Sequence, residues 1–196
     1  MMSVTQLGPR GNLNKQVCTK DLFAAIKALG ISGASFDYGG ASGQKGNEAR
    51  MTPTVLIMNG PNLNMLGTRQ PDIYGRDTLV DVIDACRGLG TELGLKVEDF
   101  QSNHEGALID RIHAAQGNTQ GIIINAGAYS HTSIAILDAL NIFEGQVIEV
   151  HISNIHQREP FRHHTYISQR ADGIIIGMGI AGYTLALRRL ASLVGS

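Results

Sequence analysis

The chain of 196 residues has no tryptophan, two cysteines and five prolines, and its formal charge is −1. Each shortage excludes something. Cys18 and Cys86 show no pairing pattern, which rules out a disulfide framework and fits a reducing compartment, so a cytoplasmic protein is expected. A charge balance this close to zero gives no basic surface for nucleic acid and no electrostatic hold on a membrane. No apolar run reaches the length needed to span a bilayer. No secretory signal opens the chain, since no apolar core of sufficient length follows the start. Lysine is scarce where it would matter: beyond Arg50 the only one is Lys96.

What remains divides at about residue 50. Residues 1–50 carry six basic and three acidic side chains, one possible helix at Lys20–Leu29, and a run rich in Gly and Ser up to Arg50. They read as a poorly packed extension ahead of a catalytic domain over 51–196. Their three acids and few arginines count against an organellar transit peptide. From Thr54 the pattern becomes regular. Apolar runs at Thr54–Asn59, Leu95–Gln101, Gly121–Asn125, Val147–His151 and Gly173–Gly177 read as strands. Between and after them, Thr78–Leu93, Glu105–Ala115, Ser133–Leu140 and Tyr183–Val194 show helical spacing of apolar residues. Five strands alternating with helices imply a parallel sheet covered on both faces, an α/β three-layer sandwich. The flavodoxin-like order 2-1-3-4-5 is expected, with strands 1, 3 and 4 side by side.

In such a sheet, ligands bind at the carboxyl edge. Strand 1 ends in Asn59, strand 3 in Asn125 and strand 4 in His151. The stretch Asn59–Gly75, NGPNLNMLGTRQPDIYG, follows strand 1 and is longer than a simple connection requires. It brings Asn62, Asn64, Arg69 and Tyr74, with glycines at which to bend, and so reads as an active-site lid. His131, Ser153 and Arg162 follow in the loops of the same edge. Glu149 lies two residues before His151 on one strand face, where it can orient the imidazole. Together these groups suit a small, hydroxylated, anionic ligand. His131 could instead cap the helix beginning beside it, and Tyr74 could simply pack the lid.

Other chemistries fit less well. A metal site built from His151, His156, His163 and His164 has no carboxylate or cysteine at ligand spacing, and Arg158 and Arg162 would repel a cation. GPNLNMLG lacks both the spacing and the lysine of a phosphate-binding loop. A phosphoacceptor needs acids at strand ends, where amides stand here. Ser130 and Ser133 lack the GxSxG frame of a hydrolase elbow. Lys96 starts strand 2, at the opposite edge, so imine chemistry from this domain is not expected.

The blocks NGPNLNMLGTRQPDIYG, INAGAYSHTS, EVHISNIHQREPFRHHTYIS and GMGIAGYTLALRRL closely resemble those of the type II 3-dehydroquinate dehydratases, from about Pro53 to Gly195. The resemblance implies a flavodoxin-like fold and assembly as a homododecamer of four trimers. It implies a cofactor-free and metal-free elimination of water from 3-dehydroquinate to 3-dehydroshikimate, through an enolate, in the shikimate pathway or in quinate breakdown. It assigns Tyr74 as the base, His151 as the acid, Arg69 as the stabiliser of developing charge, and Asn62 as the holder of a water at the enolate oxygen. Asn125 with the backbone of Ile152 and Ser153 would bind the substrate carboxylate, His131 and Arg162 the ring hydroxyls, and Asp138 would reach a neighbouring subunit's site. Where some members carry a second acid four residues after that aspartate, this chain has Ile142. The residues agree with that chemistry on their own terms. A free phenol is only about a thousandth ionised at neutral pH, and a nearby guanidinium favours phenolate. The competing reading is a non-catalytic, flavodoxin-like small-molecule binding module.

Overall fold

Three strands of the protein are buried along almost their whole length, because apolar residues fill them between a polar first residue or glycine and a polar last one, with Glu149 the one charged side chain enclosed among them. In the computed structural model, which describes residues 52–68 and 77–194, β1 (Thr54–Asn59), β3 (Gly121–Asn125) and β4 (Gln146–His151) form the centre of one parallel sheet. β2 (Lys96–Gln101) and β5 (Gly173–Ile176) flank them, giving the order β2-β1-β3-β4-β5. This is the expected topology. Edge strand β2 is mostly polar and sends Val97 to one core and Phe100 to the other, whereas β5 is apolar throughout and leaves Ile174 46% exposed. The expectations for residues 1–50, and the lid expectation over 69–75, fall outside the described residues.

Helices cover both faces, and alternation along the strands decides which side chains meet them. Val55, Ile57, Ile123, Ile148 and Val150 pack against α1 (Leu79–Glu92) and α4 (Ala181–Val194). Leu56, Met58, Ile122, Ile124 and Val147 pack against α2 (Glu105–Ala115) and α3 (Ile134–Ile142). Cys86 sits fully buried in α1, and burial pushes its thiol pKa up to about 11, so it behaves as a small apolar residue.

The helix starts are chemically specified. Thr78 opens α1 through a reciprocal capping box: its hydroxyl accepts from the Asp81 amide, and Asp81 Oδ2 accepts from the Thr78 amide at 2.8 Å. The Thr78 hydroxyl also donates to Asp81 Oδ2 at 2.7 Å, and this bond, then that of the Thr78 amide, holds the Asp81 carboxyl below its ordinary pKa. Gly94, at φ +70°, closes the helix in the left-handed conformation. Ser133 caps α3, its hydroxyl accepting from the Ile136 amide at 2.9 Å. His131 therefore does not cap that helix. It ends a separate 3-10 turn, Gly127–His131. Among the described residues no helix is long and apolar enough to cross a membrane.

Candidate active site

A cavity of about 160 Å³ opens where β1, β3 and β4 end. A cavity of about 150 Å³ holds a benzene ring, so the space suits one six-membered ring. Its wall includes Asn62, Asn125, His131, His151, Ile152, Ser153 and Arg162, seven of the residues expected from the sequence. Leu63, Met65, Leu66 and Ile155 give it an apolar side, and Arg158 adds a second guanidinium. Glu149 stands behind His151. Asp138 lies exposed on α3 and does not line this cavity. Arg69 and Tyr74 lie outside the described residues.

Strand alternation sorts these groups more finely than their shared edge suggests. Asn59 pairs in register with Asn125, two residues beyond Ile57 and Ile123, on the face covered by α4. Glu149 and His151 follow Val147 on the opposite face. The two carboxamides therefore meet a helix that the imidazole does not.

That helix supplies Tyr183, which is completely buried. Burial pushes its phenol well above the ordinary value, so the hydroxyl keeps its proton. It donates that proton to Asn59 Oδ1 at 2.6 Å and accepts from Asn125 Nδ2 at 2.9 Å. Asn125 Oδ1 in turn accepts from the Gly127 amide at 3.3 Å. One Nδ2 hydrogen of Asn125 is left for a ligand in the cavity. Asn59, at 1% exposure, acts behind the wall rather than in it. At helical spacing Tyr183 reads as core, so the sequence does not reveal this bridge.

The imidazole is set from below. His151 Nε2 donates to Glu149 Oε1 at 2.9 Å, which leaves Nδ1 as the nitrogen available to a ligand. Glu149 is 0% exposed. Burial pushes its carboxyl up, but hydrogen bonding and charge from His151, with hydrogen bonds from Ser168 and Thr165, outweigh that and hold it below the ordinary value. His131 stacks beside His151 with ring centroids 6.0 Å apart. Its Nδ1 donates to the His164 carbonyl at 2.8 Å, since a carbonyl can only accept. Burial, then the charges of His151 and Arg162, lower the His131 pKa against the pull of that carbonyl. A neutral ring with its proton on Nδ1 offers Nε2 as an acceptor, suited to a ligand hydroxyl.

The loop that follows β1 is held equally closely. Asn62 adopts φ 67°, and its amide donates to Asn103 Oδ1 at 2.9 Å. Asn103 is a loop residue the sequence does not single out. Arg162 Nε donates to Glu159 at 2.9 Å, which fixes its guanidinium at the rim. His156 and His163 pair with each other, 5.8 Å between centroids, outside the cavity wall. Among the described residues no three His, Cys, Asp or Glu side chains are grouped to hold a metal ion.

This wall of amides, imidazoles and guanidiniums belongs to a sequence that matches the family described as Dehydroquinase class II over residues 53–191. The chain belongs to that family. Over 143 residues it is 62% identical to a 3-dehydroquinate dehydratase of Cereibacter sphaeroides, covering 73% of this chain and 97% of that one. It is 57% identical over 141 residues to a catabolic 3-dehydroquinase of Emericella nidulans, covering 72% of this chain and 92% of that one. Its fold is similar to the crystal structure of a type II dehydroquinase from Propionibacterium acnes. That comparison has a TM-score of 0.70 and 46% identity, and covers 72% of this chain and 98% of the other. The five-stranded order described above is thus the fold of this dehydroquinase family, and residues 1–52 precede the matched region.

Proposed function

We propose that the protein is a hydro-lyase that removes water from 3-dehydroquinate to give 3-dehydroshikimate, as a step of the shikimate pathway toward chorismate and aromatic amino acids. The observation that carries the reading is the His151–Glu149 pair facing a ring-sized cavity beside Asn125, in a chain of the class II dehydroquinase family.

The reaction needs a proton removed beside a ketone and a hydroxyl lost from the next carbon. Tyr74 as phenolate takes the proton, and Arg69 and a water held by Asn62 stabilise the enolate that forms. The enolate electron pair then expels the hydroxyl. His151, an imidazolium anchored at Nε2, gives the Nδ1 proton to that hydroxyl, which leaves as water. The proton on Tyr74 returns to solvent. Asn125 and the backbone of Ile152 and Ser153 hold the carboxylate, while His131 Nε2 and Arg162 take ring hydroxyls. Ketone and leaving group both belong to the substrate, so no cofactor enters the scheme.

Assembly completes the proposal. Ile134 and Ile142 leave 54% and 61% of their surfaces exposed on the helix that carries Asp138. An apolar face of this kind suits contact with a second copy, which would bring Asp138 to a neighbouring site in a homododecamer of trimers. Light scattering should give a mass of about twelve chains, and a stable monomer would refute it. A cytoplasmic location accords with such a soluble assembly.

The deciding experiment is ultraviolet absorbance of purified protein with 3-dehydroquinate, because the product is a conjugated enone and the substrate is not. Enone should accumulate without added cofactor. Ligand binding with no absorbance change would favour the non-catalytic binding module instead. The same reaction serves quinate breakdown, and deletion of the gene distinguishes the two: aromatic auxotrophy marks the biosynthetic use, and loss of growth on quinate alone marks breakdown.

A further inference from the structure

The Glu149 carboxylate depends on two hydroxyls that do not line the cavity. A carboxylate removed entirely from water needs a donor for each lone pair it exposes to the interior. Oε1 accepts from His151 Nε2 at 2.9 Å and from Thr165 Oγ1 at 2.8 Å, and Oε2 accepts from Ser168 Oγ. The flanking strands offer nothing else, since Glu149 stands in register with Ile124 on β3 and Ile174 on β5. The hydroxyls are aimed by their own backbone. The Ser168 amide donates to Thr165 Oγ1 at 3.0 Å, which occupies a lone pair and turns the threonine proton toward Glu149. Both residues sit at the short turn Ile167–Gln169, whose Ile167 is fully buried and fixes the segment against the core.

We propose that Thr165 and Ser168 are positioning residues for the elimination: their hydroxyls hold Glu149 as the anionic anchor that keeps the His151 ring oriented and charged as proton donor. The inference rests on the function proposed above. With the hydroxyls gone, the buried carboxylate keeps only the imidazolium as a partner and takes up a proton more readily. A neutral Glu149 no longer favours the imidazolium that must protonate the leaving hydroxyl. The other charged groups reaching this pair, among the described residues, are His131 stacked on His151 and the Arg162 charge beyond it. Neither contacts Glu149, so neither replaces the lost donors. A purely structural role in closing the turn would lower thermal stability and leave the proton chemistry alone.

The test compares Thr165→Val, Ser168→Ala, the double variant and Thr165→Ser with wild type, following enone absorbance against pH and melting temperature in parallel. Each lost hydroxyl should lower kcat about tenfold, the size of one hydrogen bond to a charged group. KM should stay within about twofold, because neither side chain lines the cavity. The acidic limb of kcat should move to higher pH, and Thr165→Ser, which keeps the hydroxyl, should stay near wild type. In a Glu149→Gln background the same substitutions should cost little more, since the group they serve is gone. Unchanged kcat and an unmoved limb, with only the melting temperature lowered, would overturn the inference. So would equal losses with and without Glu149. A wild-type protein that makes no enone at any pH overturns the functional reading instead, and this inference with it.

Discussion

Tyr183→Phe removes one oxygen that does not touch the cavity, yet it should weaken substrate binding. Among the described residues the phenol alone donates to Asn59 Oδ1, and it is the acceptor for Asn125 Nδ2. Losing it orphans two buried polar atoms, and each orphan costs about 1–3 kcal/mol. Asn125 is 4% exposed at the cavity wall, where water can reach its amide, so its share falls toward the lower limit. Asn59, at 1% exposure and with Nδ2 already unbonded, has no such relief. The sum is about 2–4 kcal/mol, which for a domain of this size lowers the melting temperature by roughly 5–15 °C. The kinetic signature is separate. Freed from the phenol, Asn125 can rotate, and the Nδ2 hydrogen reserved for the carboxylate is no longer aimed. KM should rise about five- to tenfold, roughly the worth of one aimed hydrogen bond, while kcat changes by less than about threefold because Glu149 and His151 lie on the other face of the sheet. Circular dichroism melts and steady-state enone absorbance measure both. A variant with wild-type KM and an unchanged melt would show that the bridge neither supports the fold nor aims Asn125. A variant with kcat lowered more than KM is raised would show that the two faces are coupled.

Stability should fall on acidification. The unfolded chain takes protons first at His131, below its ordinary 6.5, and at Glu149, below its ordinary 4.5, because both folded values are depressed. Calorimetry from pH 8 to pH 3 should show a falling melting temperature in that order, and a rise anywhere below pH 6.5 would contradict the assignment. Tyr74→Phe should lower turnover roughly 10²–10⁴-fold with KM little changed, whereas Arg69→Ala should move the basic requirement of the profile to higher pH. Near-wild-type turnover by Tyr74→Phe would move the base elsewhere. Borohydride with substrate should leave activity intact and add no mass, since Lys96 begins β2 at the far edge of the sheet, and a covalent adduct would exclude the enolate route.

Most of the architecture was legible because the polar residues of the strands fall where the topology needs them. The continuous apolar runs of β1 and β3 fit central strands, and the polar KVEDFQ of β2 fits an edge, although the equally apolar β5 also lies at an edge. The capping box at Thr78 and the glycine at 94 fixed α1 from local chemistry alone. The strand-end residues were equally plain, since Asn59, Asn125 and His151 interrupt apolar runs at one edge. What the pattern could not show was contact across long separations. Tyr183 lies 124 residues from Asn59 in the chain, and its hydroxyl gives no periodic signal. Thr165 and Ser168 stand in a polar loop where threonine and serine are unremarkable, and only the fold shows that both hydroxyls end on Glu149.

Gly60 shows how such a contact builds the site. Read along the chain, it is a place to bend. In the fold its φ is not positive, and its role is close approach: a Cβ there would stand 2.3 Å from the Ala126 carbonyl oxygen. Its amide donates to the Asn125 carbonyl at 2.8 Å, continuing the β1–β3 pairing one residue past the strands. That bond holds Asn59 and Asn125 side by side, so that one phenol can span both amides. It also sends the following segment directly over the cavity, where Pro61 and Asn62 join the wall. A side chain at residue 60 would part the two strand ends by more than an ångström, and the Tyr183 bridge at 2.6 and 2.9 Å has no slack to absorb that. The absent side chain at Gly60 and the buried phenol of Tyr183 are therefore two halves of one device, which sets the direction of the Asn125 amide from outside the cavity it serves.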